Sequence, residues 1–106
     1  ASAYVNGLQQ NGVQRSNLAV VNRGDASDTI ALRVTYFGAD GAALPNPDTA
    51  VLAPGEWRQF NGPLASRGAT GGYAKVERLS GSSRFVSYGV LNDQHNSDGS
   101  YIPMSR

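Results

Sequence analysis

Apolar residues recur at every second position in short runs along this chain, and hardly anywhere at the three-and-four spacing of a helix. The clearest run is 29–37, TIALRVTYF, in which Ile30, Leu32, Val34 and Tyr36 alternate with Thr29, Ala31, Arg33, Thr35 and Phe37. Successive strand side chains point to opposite faces, so the Ile30 set is predicted to face a core. Residues 16–22, SNLAVVN, read as a strand with Leu18 and Val20 on one face and Ala19 and Val21 on the other. Apolar residues on both faces predict a central position in a sheet.

Four further strands are predicted at 3–5 (an edge strand), 49–53, 56–61 and 72–79. In 72–79, Ala74 and Val76 oppose Lys75 and Glu77. Residues 84–91 set Val86, Tyr88 and Val90 against Phe85, Ser87 and Gly89, and a short closing strand is predicted at 100–103. Turn signals separate these runs: 6–12, 22–27, Asp40-Gly41, Pro54-Gly55 and Gly81. Proline cannot donate to a sheet ladder, so Pro45 and Pro47 make 44–48 a loop or an edge. The Pro54-Gly55 turn is expected to join 49–53 and 56–61 as a hairpin. The longest irregular stretch is 61–72. Short strands bounded by turns at intervals of about 10 residues predict an all-β, antiparallel β-sandwich of seven to eight strands. At 106 residues it is expected to be a single domain, 1–106.

Charge narrows the partners. Only 16% of residues are charged, against about 25% on average. The net charge is +1 and like charges never run together, so the footprint of a nucleic-acid binder is absent. No stretch approaches the ~18 apolar residues of a membrane helix, so no membrane insertion is expected. Without cysteine there is no disulfide, thiolate zinc site or cysteine nucleophile. The opening Ala1-Ser2-Ala3 reads as a processed or excised start, and the chain is expected to be one module or processed subunit of a longer exported protein.

Three segments carry a family resemblance: RSNLAVVN at 15–22, LAPGEW at 52–57 and SYGVLNDQHNSDGSYIP at 87–103. Together they resemble a repeat module of secreted and cell-surface bacterial proteins, over residues 4–104. The resemblance implies an immunoglobulin-like β-sandwich, an extracellular or cell-surface location, and a structural or adhesive role. It implies no catalytic residue.

Side-chain oxygens crowd most densely in the loop 92–99. Asp93, Asn96 and Asp98, with backbone carbonyls, could supply the oxygen ligands that calcium prefers, although the closing Glu of an EF-hand is missing. The competing explanation is that Asn and Asp bond their own backbone and shape the turns. No other cofactor is expected. His95, the only histidine, has no GxSxG elbow to serve and reads as a solvated loop residue. Glu56 and Glu77, the only glutamates, could form a glycosidase pair, but solvent-face pairing with Arg58 and Arg78 explains them more simply. Lys75, the only lysine, could enter an internal isopeptide cross-link if buried, but its strand face is predicted to be solvent. Arg23-Gly24-Asp25 is read as a turn, despite matching an integrin-binding tripeptide.

The leading expectation is a non-enzymatic structural or surface-assembly module that meets other copies of itself or neighbouring modules. Tyr4-Val5 and Tyr101-Ile102 are the candidate assembly segments, through terminal strands that complete a neighbour's sheet head to tail. The alternative is a carbohydrate- or ligand-binding accessory module. Trp57, Tyr4, Tyr36, Tyr73, Tyr88 and Tyr101 are the aromatic candidates, and Trp57 falls on the outer face if Phe60 turns inward. A hydrolase built around His95 is the third expectation.

Overall fold

The computed structural model describes residues 2–9, 14–93 and 99–102, with side chains at 2–8 and 16–90. Eight strands are described: β1 Ser2–Gln9, β2 Gln14–Asn22, β3 Ile30–Gly38, β4 Asp48–Leu52, β5 Trp57–Phe60, β6 Gly71–Ser80, β7 Phe85–Asp93 and β8 Gly99–Ile102. They form two four-stranded antiparallel sheets, β1-β6-β3-β4 and β5-β2-β7-β8. The all-β sandwich expected from the strand spacing is present.

Its strand order differs from that of an immunoglobulin domain. In an immunoglobulin constant domain, with sheets ABED and CFG, the first strand pairs with the second. Here β1 lies beside β6, and β2 is central between β5 and β7. The immunoglobulin likeness therefore extends to the two-layer architecture and not to the connectivity.

The core is where alternation predicted it. Ile30, Leu32, Val34 and Tyr36 are all fully buried, together with Ala74 and Val76 of β6 and Leu18 and Val20 of β2. A buried Val or Leu contributes about 1.5–3 kcal/mol relative to exposure, so this stripe is the main source of stability. β1 runs longer than the predicted 3–5. Its register shifts between Val5 and Leu8, and beyond that shift Leu8 returns to the core, fully buried. On β7 Phe85, Ser87 and Gly89 face inward and are buried. Val86, Tyr88 and Val90 face out and are half-buried.

One expected contact is overturned. β4 and β5 do not form a hairpin: β4 pairs with β3, and β5 pairs with β2 across the sandwich. The Pro54-Gly55 turn does reverse the chain, with Glu56 N–H donating to the Ala53 carbonyl at 2.9 Å. The end of β2 captures this turn. Gly55 N–H donates to the Asn22 carbonyl at 3.0 Å, and Asn22 N–H donates to the Glu56 carbonyl at 2.9 Å. Those bonds draw the strand that follows into the second layer.

Buried polar side chains lock the loops at this end. Asn22, fully buried, donates through Nδ2 to the carbonyls of Asp28 and Leu52, each at 2.9 Å. Its Oδ1 accepts from Gly24 N–H at 2.8 Å. Asp28 accepts from the backbone N–H of Ser82 at 2.5 Å and of Ser83 at 2.8 Å, which ties the β2–β3 loop to the β6–β7 connection.

Candidate functional site

The two outward faces of the sandwich differ in chemistry, and register fixes the difference. On the first sheet Arg33 stands opposite Glu77 and donates to it at 3.2 Å. Lys75 Nζ lies 3.8 Å from the same carboxylate. Beside these charges Phe37 stacks on Tyr73, centroids 4.8 Å apart and planes within 10°. Tyr4 leans on Tyr73 at 6.4 Å. Phe37 and Tyr73 stack face to face while Tyr4 is tilted by 52° to Tyr73, and such cross-strand pairs stabilise a sheet.

The second sheet is arranged otherwise. Leu18 stands opposite Phe60 and Gly89, and Val20 opposite Ser87. With Leu18 and Val20 inward, the intervening residues must point out. Val21 then lies between Trp57 and Val86, and Ala19 lies between Gln59 and Tyr88. Asn17 stands opposite Val90. By register no Asp, Glu, Lys or Arg points outward over 17–21, 57–59 or 86–90, but Arg58, opposite Val20 on the edge strand β5, is exposed. Trp57 is 61% exposed, whereas Ala19 beside it is only 1% exposed. Such a face can bury an apolar surface but has few groups with which to do acid–base or metal chemistry.

The other candidates fall as follows. Trp57 is on the outer face, as its spacing from a partly buried Phe60 implied. Tyr36 is a core residue, and Tyr4 and Tyr73 sit on the opposite sheet from Trp57 and Tyr88. The side chain of Val5 is buried, which leaves the exposed Tyr4 and the backbone edge of β1 to meet a partner strand. Tyr101 and Ile102 pair with Val90 and Gly89 at the opposite edge of the other sheet. Asp93 is described only as backbone, opposite Gln14. Asn96, Asp98 and His95 lie outside the described residues, and so does the calcium reading. Among the described residues no group of three or more His, Cys, Asp or Glu converges.

Glu77 and Glu56 are not a carboxylate pair. Glu77 is on the first sheet with Arg33 and Lys75, not Arg78. Glu56 sits in the turn before β5 and accepts from Ala53 N–H at 3.0 Å instead of pairing with Arg58. Lys75 is on the outer face as predicted, one-third exposed. Asp25 of the Arg23-Gly24-Asp25 tripeptide is held by Arg84, with Nη2 at 2.6 Å and Nε at 3.0 Å. That guanidinium lowers the Asp25 pKa.

A cluster that the sequence did not signal joins β3, β4 and the 61–70 loop. Arg67, 7% exposed, lies over the Tyr36 ring at 4.3 Å and pairs with Asp48 at 3.3 Å. It also donates to the carbonyls of Pro45, Asn46 and Pro63. Tyr36 donates to Asp48 at 2.9 Å. Burial, with the Asp48 carboxylate next, pushes the Tyr36 pKa up, so the hydroxyl stays protonated. With its guanidinium donors occupied by protein groups, this cluster is a structural clasp.

No family model matches the chain, and no curated protein matches it. Its fold is similar to that in the crystal structure of Thermotoga maritima 1070, with a TM-score of 0.69 over 99% of this chain and 91% of that one. Identity is 12%, so the likeness is one of fold alone. Among the described residues no helix is long and apolar enough to cross a membrane.

Proposed function

We propose that this chain is a non-enzymatic contact module, a structural or surface-assembly part of an exported protein that works by presenting a surface to other copies or to neighbouring modules. The observation that carries the reading is the outer face of β5-β2-β7: it has no charged residue at an outward register position over 17–21, 57–59 or 86–90, and it is centred on an exposed Trp57. Exposed apolar patches rimmed by polar residues mark interaction sites, and Trp is enriched among residues that dominate binding energy. The separation of Glu56 from Glu77 supports the non-enzymatic part. Export rests on the resemblance to secreted bacterial modules.

Assembly through the terminal strands is the competing version of this reading. β1 and β8 lie at edges of different sheets, as it requires. Deleting residues 1–8 is a poor test of it, because Ala3, Val5 and Leu8 belong to the core and their loss unfolds the domain. The test is light scattering and electron microscopy of the whole chain beside Trp57→Ala. Self-association lost in the variant supports contact through the face. Open filaments unaffected by the substitution support strand exchange, and a monomer with no partner removes the assembly reading.

The exposure of Trp57 beside Gln59 also favours a second reading, a glycan-binding accessory module. Binding on a glycan array that disappears in Trp57→Ala supports it.

A further inference from the structure

We infer that Asn6-Gly7, within β1, is a site of spontaneous covalent modification: the Asn6 side-chain amide is lost as ammonia through a cyclic imide, which leaves aspartate and isoaspartate inside the strand. The inference goes beyond the contact-module reading and holds whatever the surface meets.

The chemistry is intramolecular. The Gly7 backbone nitrogen, having given up its proton to base, attacks Cγ of Asn6. The new N–Cγ bond closes a five-membered ring, the Cγ–Nδ2 bond breaks, and Nδ2 takes a proton and leaves as ammonia. Water then opens the imide. Opening at Cγ gives aspartate; opening at the main-chain carbonyl gives isoaspartate, in which the chain runs through Cγ and is longer by one methylene. A glycine after the asparagine favours the attack, because no Cβ crowds the closing ring.

The sequence holds three Asn-Gly pairs, 6–7, 11–12 and 61–62, and the second lies outside the described residues. The fold treats the other two in opposite ways. A regular strand resists ring closure, since the ladder holds the backbone extended and its N–H groups occupied. β1 is irregular at this point. Val5 is paired with Ala74 and Leu8 with Gly72, so Asn6 and Gly7 together face the single residue Tyr73, and neither has a partner in the register. Gly7 is at φ +75°, with nothing within 4 Å of where a Cβ would stand. Both residues are exposed, and β1 is an edge of its sheet.

Asn61-Gly62 has the same two residues but is guarded. Gly62 N–H donates to Oδ1 of Asn17 at 2.8 Å, and Asn17 is only 6% exposed. Oδ1 of Asn61 accepts from Gln59 at 2.7 Å. The attacking nitrogen and the amide it would attack are both held.

The product has a structural consequence. Val5 and Leu8, on either side of the pair, are fully buried. A methylene added between them displaces one or the other, so the aged chain is less stable, and the edge of β1 gains a negative charge.

The test is to incubate the whole chain at physiological temperature, folded and in urea, at neutral and at mildly alkaline pH. Tandem mass spectrometry of tryptic peptides reads conversion separately at 6, 11 and 61, and an isoaspartate-specific carboxyl methyltransferase counts isoaspartate. In urea, positions 6 and 61 should react at similar rates. In the folded chain Asn6 should react at least about tenfold faster than Asn61, since a factor of ten in rate takes about as much free energy as one hydrogen bond supplies. The rate should rise with pH, and Asn6→Gln, which would need a six-membered ring, should stay intact. The aged chain should have a lower urea midpoint than fresh protein and than Asn6→Asp, which carries the charge without the methylene. Folding that slows Asn6 as much as Asn61 overturns the site. An aged chain as stable as Asn6→Asp overturns the consequence for β1.

Discussion

Asn22→Ala is the sharpest test of how the sandwich holds its strand order. The side chain is fully buried and makes three hydrogen bonds, to the carbonyls of Asp28 and Leu52 and from Gly24 N–H. Each is worth about 1 kcal/mol net, and a buried group left without a partner costs ~1–3 kcal/mol. The Leu52 carbonyl bond is wholly buried, and the other two are partly buried. Counting the first at the upper end and the others near 1 kcal/mol gives a loss of about 3–5 kcal/mol. That is a large fraction of the ~5–15 kcal/mol available to a domain. The assay is urea denaturation, with the midpoint multiplied by an unchanged slope. Asn61→Ala is the control, because its side chain bonds only Gln59 at the surface, and surface changes stay within about 0.5 kcal/mol. A loss below about 1 kcal/mol for Asn22→Ala would refute the claim that this side chain staples β2 to the two turns beside it.

Three further outcomes are expected. Arg67→Ala should cost about 2–4 kcal/mol, because it strips a nearly buried guanidinium from Asp48 and several loop carbonyls; Arg67→Lys should recover only part of this, both read by thermal unfolding. The Asp28 pKa is lowered from 3.8 to about 2, mainly by the Ser83 side chain and the Ser82 N–H. A depressed folded pKa means that the unfolded chain binds the proton first. Its contribution to stability is therefore complete above pH ~4 and disappears as pH falls through ~2. Asp28→Asn should flatten that part of a urea-midpoint profile. Gly72→Ala should abolish folding or cost more than about 4 kcal/mol, since a Cβ there would lie 1.9 Å from the Phe37 carbonyl oxygen. Gly41→Ala, at φ +86° with open space around it, should cost only about 1 kcal/mol by the same measurement.

Period-two alternation located the strands because each has one face in the core, and burial follows it residue by residue on β3 and over 73–77 on β6. Layer assignment was harder to read. A Pro-Gly turn looks the same whether it closes a hairpin or carries the chain across a sandwich, and here the backbone of Asn22 decides. The outward face of β7 was also hidden. Val86, Tyr88 and Val90 are its more apolar set, yet pairing with Leu18 and Val20 commits Ser87 and Gly89 to the inside. Trp57 was legible from its spacing to Phe60 alone. Arg67 was not, since its partners come from 45–48 and 63–66 in segments without a repeating pattern.

The order of strands also sets how the chain can be made. Ser2 lies opposite Glu77, and Gln14 opposite Asp93, so β1 and one edge of β2 wait for partners late in the sequence. Of the strands up to β5, β3 and β4 pair as neighbours and β2 pairs with β5, but β1 has no partner until β6 exists. Long-range pairing of this kind folds on a scale of milliseconds to seconds, because loop closure must precede the contacts that reward it. A polypeptide leaving a ribosome at ~5–20 residues per second would hold β1 unpaired for several seconds. That delay exposes Val5 and Leu8 to neighbouring nascent chains. Synthesis rate and chaperone supply, more than final stability, should govern how much of this protein reaches its native state.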